Sequence, residues 1–350
     1  MKTERLVSVD VLRGITIAGM ILVNNSGIGE STFYPLTHAE WNGLTPCDLV
    51  YPFFLFIMGF TTYLSMGKTN FTLSSGLALK IVRRTLVIFF LGWFIQYVGF
   101  ALRGDFFPFD HIRYLGVLPR IAICYCVVSF LSVVVDHRWL LPVAVSLLVV
   151  YSVVLLTGNG FVNDETNVLY VTDRAWFGEA HLYKHSLIDP IGILSTLSAV
   201  AHTIIGFLCA KIVQTEQSDR LTRLLVVGFV LMAVGWLVQF GMPFNKHVWS
   251  PSYALVTCGA AASLLAVIAY FDVRPTFFRV FGVNPLFLYV MSEVLSIVLG
   301  RFGWKAPVYH FYLDTLGNAY WASLAWASSY VLLLWLVGFV LWKRRIIIKI

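Results

Sequence analysis

His38 stands in the run Leu36-Thr37-His38-Ala39-Glu40-Trp41-Asn42-Gly43-Leu44-Thr45, and Asp48 follows a few residues later. An imidazole titrates near neutral pH, so it can take a proton from an attacking amine or hydroxyl, or accept an acyl group itself. A carboxylate at Asp48 could orient such a ring, and at the start of a helix it also suits the helix dipole. Trp41 and Asn42 add an aromatic face and an amide for a polar substrate. His111, His181, His185, His247 and His310 compete for the same role, and on local chemistry alone His38 reads equally well as an ordinary loop histidine.

Two long apolar stretches flank His38, and they belong to a chain that must be solvated mostly by lipid. Of 350 residues, 59% are hydrophobic and 12% charged, and the mean hydropathy is +0.80. Soluble domains carry about 25% charged residues. A spanning helix needs about 20 mostly apolar residues. Runs of that kind fall at 9–26, 47–66, 81–102, 117–135, 139–157, 191–213, 223–241, 252–271, 280–299 and 322–342. The expectation is an all-α polytopic membrane protein of about ten transmembrane helices, forming a single transmembrane domain over 1–350. Pro142, Pro190, Pro251 and Pro285 lie near helix starts, where proline is tolerated. Pro52 falls inside the second run and predicts a kink. No internal repeat and no low-complexity linker divides the chain.

Charge sets direction. A net charge of +7 would suggest nucleic acid in a soluble protein, but in a membrane protein Lys and Arg gather in cytoplasmic segments, so no nucleic-acid partner is expected. With both termini cytoplasmic, sixteen Lys and Arg face inward, Lys2, Arg5 and Lys349 among them, and seven face outward. His38 then faces a periplasm-like space, and the polar, aromatic loop 158–190 on that side could form a lid. Trp and Tyr at the span ends are what interfacial anchoring produces, so they identify no dimer surface and a homodimer stays open.

Charged groups within a span are costly and point to function. Asp10 and Arg13 share a helix face three residues apart, either as a local ion pair or as a contact for an anionic ligand. Asn24 and Asn25 end the first run. Arg120 follows Pro119 at the start of the fourth, His202 lies in the sixth, and Asn284 and Glu293 lie in the ninth. His202 reads as a packing residue. The five cysteines fall mostly within apolar runs, so no disulfide framework is expected, and no metal-ligand or nucleotide-loop motif is present.

Ser8-Val9-Asp10-Val11-Leu12-Arg13-Gly14, Val23-Asn24, the His38–Thr45 run and Asp48 through Gly59 resemble the heparan-α-glucosaminide N-acetyltransferase family, within the transmembrane acyltransferases. The similarity continues through Gly116–Arg120, Asp189–Gly192, Asn245–Ser250 and Gly282–Pro285. The resemblance implies transfer of acetyl from cytosolic acetyl-CoA to the amino group of a glucosamine-type sugar across the membrane. It puts the active-site histidine on His38 and a neighbouring asparagine on Asn24. The interval between those two is longer here than in the family, which leaves Asn25 as the alternative. The family enzyme carries a luminal domain before its first span that this sequence does not show, and the absence of a targeting signal suggests a bacterial inner-membrane protein.

The geometry demanded is specific. A hydrocarbon core is about 30 Å thick, so a thioester at the inner surface could not touch His38, and CoA must thread its arm into the bundle. Asp10, Arg13, Arg83, Arg84 and Arg120 are the candidates for holding CoA. Trp41, Asn42, Asn284 and Glu293 are the candidates for holding the sugar. His38, Asn24 and Asp48 would carry the chemistry, with His38 either a general base or an acetylated nucleophile. Two other functions suit the same residues: a permease for sugars or cell-wall fragments, and O-acetylation of an exported glycan.

Overall fold

A computed structural model of the protein describes residues 7–29, 31–215 and 219–348. Lys2, Arg5 and Lys349, counted above for orientation, lie outside them. Every regular element among the described residues is helical. In chain order these are α1 (Val7–Asn24), α2 (Val50–Met66), α3 (Ser75–Ala101), α4 (Val117–Val134), α5 (Leu140–Thr157), α6 (Val168–Phe177), α7 (Ser195–Thr215), α8 (Arg220–Val238), α9 (Pro251–Tyr270), α10 (Thr276–Val283), α11 (Pro285–Arg301), α12 (Lys305–Leu316) and α13 (Ala319–Lys343).

Local chemistry explains several boundaries. The Ser74 side chain accepts from the Leu77 amide to start α3, Asn167 starts α6 in the same way, and Asn318 starts α13. Ser250 caps α9 with Pro251 in its first position, where the missing N–H is no loss. Pro52 does not kink a long helix, as the sequence suggests. A 3-10 turn over Pro46–Leu49 precedes α2, so Pro52 sits in the first turn. Proline leaves the carbonyl four residues back without its helical donor. That carbonyl, of Asp48, accepts instead from the Tyr253 hydroxyl at 2.6 Å.

Eight helices among the described residues are long and apolar enough to cross a membrane. The pair α10–α11 makes a ninth crossing at most, because it is bent by 86° at Asn284. The expectation of about ten spans thus meets eight or nine such crossings among the described residues. The run at 81–102 is helical within α3 but is not one of the eight, and the run at 280–299 is broken. Two causes of the break are visible. Pro285 starts a new helix, and α10 is pressed against α1 by backbone contact. A Cβ on Gly282 would overlap the Asp10 carbonyl oxygen, and one on Gly14 would overlap the Phe278 carbonyl. Small residues at helix crossings in membranes allow this approach. The α2–α7 crossing uses the same device, with Gly59 on the Thr203 carbonyl and Gly206 on the Phe56 carbonyl.

The antiparallel course gathers the connecting segments at two ends. At one end the segments near 43, 112, 161, 181 and 244 bond to one another: Gly43 N to Phe244 O at 2.7 Å, Trp41 Nε1 to Phe161 O at 2.8 Å, and Tyr114 N to His181 O at 3.3 Å. Helix α6, inside the long 158–190 segment, buries Leu169 and Tyr170 against Tyr151, Leu155, Ile188 and Val248. At the other end lie the start of α3 and the α10–α11 break.

Gly282→Ala is expected to lower the thermal midpoint by several degrees, because the obstructing atom is backbone and overpacking costs about 1–3 kcal/mol. Gly300→Ala, in α11 with open space around it, is the control and is expected to stay within about 1 kcal/mol of the parent. Thermal unfolding in detergent reads both.

Candidate active site

The 3-10 turn before α2 positions the centre. Thr45 precedes it and forms a capping box with Asp48. The Asp48 side chain has 0% of its surface exposed, whereas that of His38 has 48%. One is a fixed internal group and the other an accessible one. Asp48 Oδ2 accepts from the Ala39 amide at 3.1 Å and the Thr45 amide at 3.1 Å. Asp48 Oδ1 lies 2.8 Å from His38 Nδ1. The sequence expectation that Asp48 orients His38 thus has a direct geometric counterpart.

A lysine joins them that the sequence reading did not single out. Lys246 Nζ lies 2.8 Å from His38 Nδ1, 3.2 Å from Nε2, and 3.3 Å from Asp48 Oδ1. Burial pushes its ammonium below the usual lysine range, and the Asp48 carboxylate pulls it part of the way back. Asp48 can accept only from a protonated Nδ1, whereas Lys246 can donate only to a bare one. The two contacts are alternatives that select opposite tautomers of the ring. With Nδ1–H on Asp48, Nε2 carries the free lone pair.

Cys47 lies 3.1 Å from the same Nδ1 and 3.8 Å from Nε2. In a nucleophile–His–acid relay the nucleophile and the acid use opposite ring nitrogens. Here both crowd one nitrogen, so Cys47 is not set up as a relayed nucleophile. All five cysteines are free thiols. His247 has its imidazole pushed down by burial and stacks on Trp41 with centroids 5.4 Å apart.

Trp41 and Asn42 act as stitches between loops. Trp41 bonds to Phe161, and Asn42 Oδ1 accepts from Asn245 Nδ2 at 3.0 Å. Gly43 has φ +133, a conformation costly for any side chain, and its amide donates to Phe244. These bonds bring the turn carrying Lys246 onto the segment carrying His38.

Asn24 donates to Glu293 at 3.1 Å, so two candidates expected in separate roles form one pair, and Asn24's bond does not go to His38. Asn25, the alternative to Asn24, is buried and donates to Ile21 of its own helix at 2.8 Å. Asn284 sits at the α10–α11 break, toward the other end from His38. Its amide donates to Ile346 O and its carbonyl accepts from Ile348 N, both at 2.9 Å. Arg120, expected with the CoA ligands, is fully buried. It donates to the carbonyls of Pro190 at 3.2 Å and Gly192 at 2.9 Å, and to the Ser195 hydroxyl. It braces the entry to α7. Asp10 pairs with Arg13 at 3.2 Å, and Arg13 also donates to Gly282 O. His202, read as a packing residue, is buried and bonds to Pro52 O at 2.9 Å.

Arg13, Arg83 and Arg84 do come together. With Lys80 they edge a cavity of about 690 Å³ whose wall includes Phe54, Ile57, Met58, Thr61 and Ser65 of α2. From Ser65 to Phe54 the helix rises about 16 Å. From Phe54 about 10 Å of rise remains to Asp48. Neither His38 nor Asp48 lines the cavity.

Residues 5–187 match a family model described as "Heparan-alpha-glucosaminide N-acetyltransferase, catalytic". The chain is 28% identical over 417 residues to the heparan-alpha-glucosaminide N-acetyltransferase of Mus musculus, covering 99% of this chain and 61% of that protein. It is 27% identical over 418 residues to that of Homo sapiens, covering 99% and 60%. The chain thus spans about three fifths of the length of these relatives. The family match takes in His38, Asp48, Arg83 and Arg84 and ends before Lys246.

One carboxylate beside the site carries a pH signature. Asp173 of α6 accepts from Ile193 N at 2.9 Å through Oδ1, while Oδ2 is buried without a hydrogen bond. Burial pushes it up from 3.8 to about 6, against the pull of the Ile193 bond. A raised folded value means that Asp173 costs nothing below pH 4 and disfavours the fold as pH rises through 6. Asp173→Asn removes that dependence. Between pH 4.5 and 7.5 its thermal stability is expected to improve relative to the parent by on the order of 2 kcal/mol, whatever the constant offset of the new amide. Melting curves across that range test it.

Proposed function

The chain belongs to the heparan-alpha-glucosaminide N-acetyltransferase catalytic family, and we propose that it moves acetyl from acetyl-CoA to the amino group of a glucosamine-type sugar across a membrane. The observation that carries this is the pairing of two features along one helix. The His38–Asp48 pair stands at the start of α2, and a cavity edged by Lys80, Arg83 and Arg84 follows α2 from the other end. A nucleophile on one side of a bilayer and a thioester donor on the other require such a passage.

The donor set suits CoA. Lys80, Arg83, Arg84 and Arg13 offer charge-assisted bonds to phosphates, and the α2 wall offers an apolar channel for the pantetheine arm. The thioester end then has to pass Phe54 to reach His38. The excess of Lys and Arg on the segments sharing the cavity's end supports a cytoplasmic side there, with His38 facing outward and both termini inside.

In the transfer, the sugar amine attacks the thioester carbonyl carbon, and His38 Nε2 takes the amine proton. The C–N bond forms as C–S breaks, and the proton passes to the departing CoA thiolate. Asp48 holds the productive tautomer by accepting Nδ1–H, and it stabilises the transient imidazolium. His38 acts here as a base, in keeping with its half-exposed ring, which could not shield an acetyl-imidazole from water. The Asn24–Glu293 pair stands as the candidate for holding the acceptor's polar groups.

Purified protein is expected to transfer label from radiolabelled acetyl-CoA to glucosamine, and folded His38→Ala to lose at least about a hundredfold in kcat. Arg83→Ala and Arg84→Ala are each expected to raise KM for acetyl-CoA about tenfold with kcat little changed. Acetyl-CoA binding without transfer to glucosamine would redirect the search to another acceptor, hydroxyl acceptors included. Neither binding nor transfer would sink this function and leave a permease in its place.

A further inference from the structure

Lys246 is delivered by a turn held in an unusual shape. Between α8 and α9, Asn245 Oδ1 accepts from Val248 N at 3.1 Å, and Ser250 Oγ receives Asn245 N at 3.1 Å. Trp249 closes the turn with φ +50, a left-handed conformation rare for a bulky residue. Its indole is buried among Tyr51, Tyr253 and His202, with centroids 5.1, 5.3 and 5.9 Å away, and the Arg120 guanidinium lies 5.4 Å over it. Such a conformation persists only where the surroundings over-determine it, and such residues cluster at functional sites. What the strained turn achieves here is the approach of an ammonium to an imidazole.

We propose that Lys246 is a positioning residue for His38: its ammonium occupies Asp48 Oδ1 and crowds the imidazole, opposing any second ring proton other than the one the ring takes from the attacking amine. This rests on the assignment of His38 as the base of acetyl transfer. The charged and titratable groups around the ring come from two elements. From the 3-10 turn, Asp48 favours a protonated ring and Cys47 stands beside it. From the α8–α9 turn, Lys246 and His247 face it, and burial keeps His247 from adding charge. Asp48 alone would draw a second proton onto the ring. A cation at 2.8 Å opposes this, because like charges at that distance repel.

The test is a histidine NMR titration of the substrate-free full chain in nanodiscs, with the His38 signal assigned by its loss in His38→Ala. Wild type is compared with Lys246→Met, which keeps length without charge, and Lys246→Arg, which keeps charge. In Lys246→Met the His38 titration is expected to move to higher pH by about one unit, and Lys246→Arg is expected to track wild type. The acid limb of the kcat profile should move likewise, with kcat at neutral pH down about tenfold and KM for acetyl-CoA within about twofold. Lys246→Gln repeats the comparison if the Met variant is not monodisperse. Coincident titrations of wild type and the uncharged variant would overturn the proposal even in an active enzyme. A shifted titration in a protein that transfers no acetyl would leave the Lys246–His38 coupling standing and remove the acetyltransferase function alone.

Discussion

A carboxylate with no exposed surface must be surrounded by donors, because burying an uncompensated charge costs far more than any loop can supply. Asp48 meets that requirement with the amides of Ala39 and Thr45 on one oxygen and His38 and Lys246 on the other. These donors come from the His38 loop, from the entry to the 3-10 turn, and from the turn between α8 and α9. Satisfying this one side chain therefore fixes the path of the His38 loop, the 3-10 start of α2 and the turn between α8 and α9. The Asp48 carbonyl adds a further tie, since Pro52 leaves it to Tyr253 of α9. This end of the bundle is organised around that residue.

The two ends are then coupled by α2. The 3-10 turn leading into it carries Asp48, and its later turns wall the cavity edged by Lys80, Arg83 and Arg84. Its close seat on α7, through Gly59 and Gly206, holds it at a fixed height against the bundle. The α10–α11 break works at the far end in the same way: Gly14 and Gly282 lock α10 onto α1, and the turn at Asn284 opens the cavity's side. Packing that brings backbones together at some crossings leaves room at another. A passage for a long, flexible donor is consistent with that distribution.

Much of this was legible from residue types. The apolar runs located α1, α2, α4, α5, α7, α8, α9 and α13 to within a few residues, because lipid leaves a helix no other way to satisfy its backbone. His38 with Asp48 was legible because a helix start after a short loop brings such groups together locally. The grouping of Arg13, Arg83 and Arg84 was legible as a set of cations at the membrane edge. The partners of Arg120 were not legible, because an arginine in a span looks the same in sequence whether it meets a ligand or donates to carbonyls. The bonds of Asn284 to Ile346 and Ile348 were not legible for a similar reason. The unbroken ninth run misled because hydropathy does not register a bend, although Gly282 and Pro285 around Asn284 carried the signal.

Composition and spacing by themselves determined the class of protein and brought His38 and Asp48 to notice, since lipid solvation and local helix geometry act over short stretches of chain. They also carried the family likeness. Only the tertiary structure decided which polar groups meet. Lys246 lies far along the chain from His38, and Glu293 far from Asn24. No periodicity links such positions, because contact between distant helices depends on crossing geometry, and that is set by which glycines let which backbones touch.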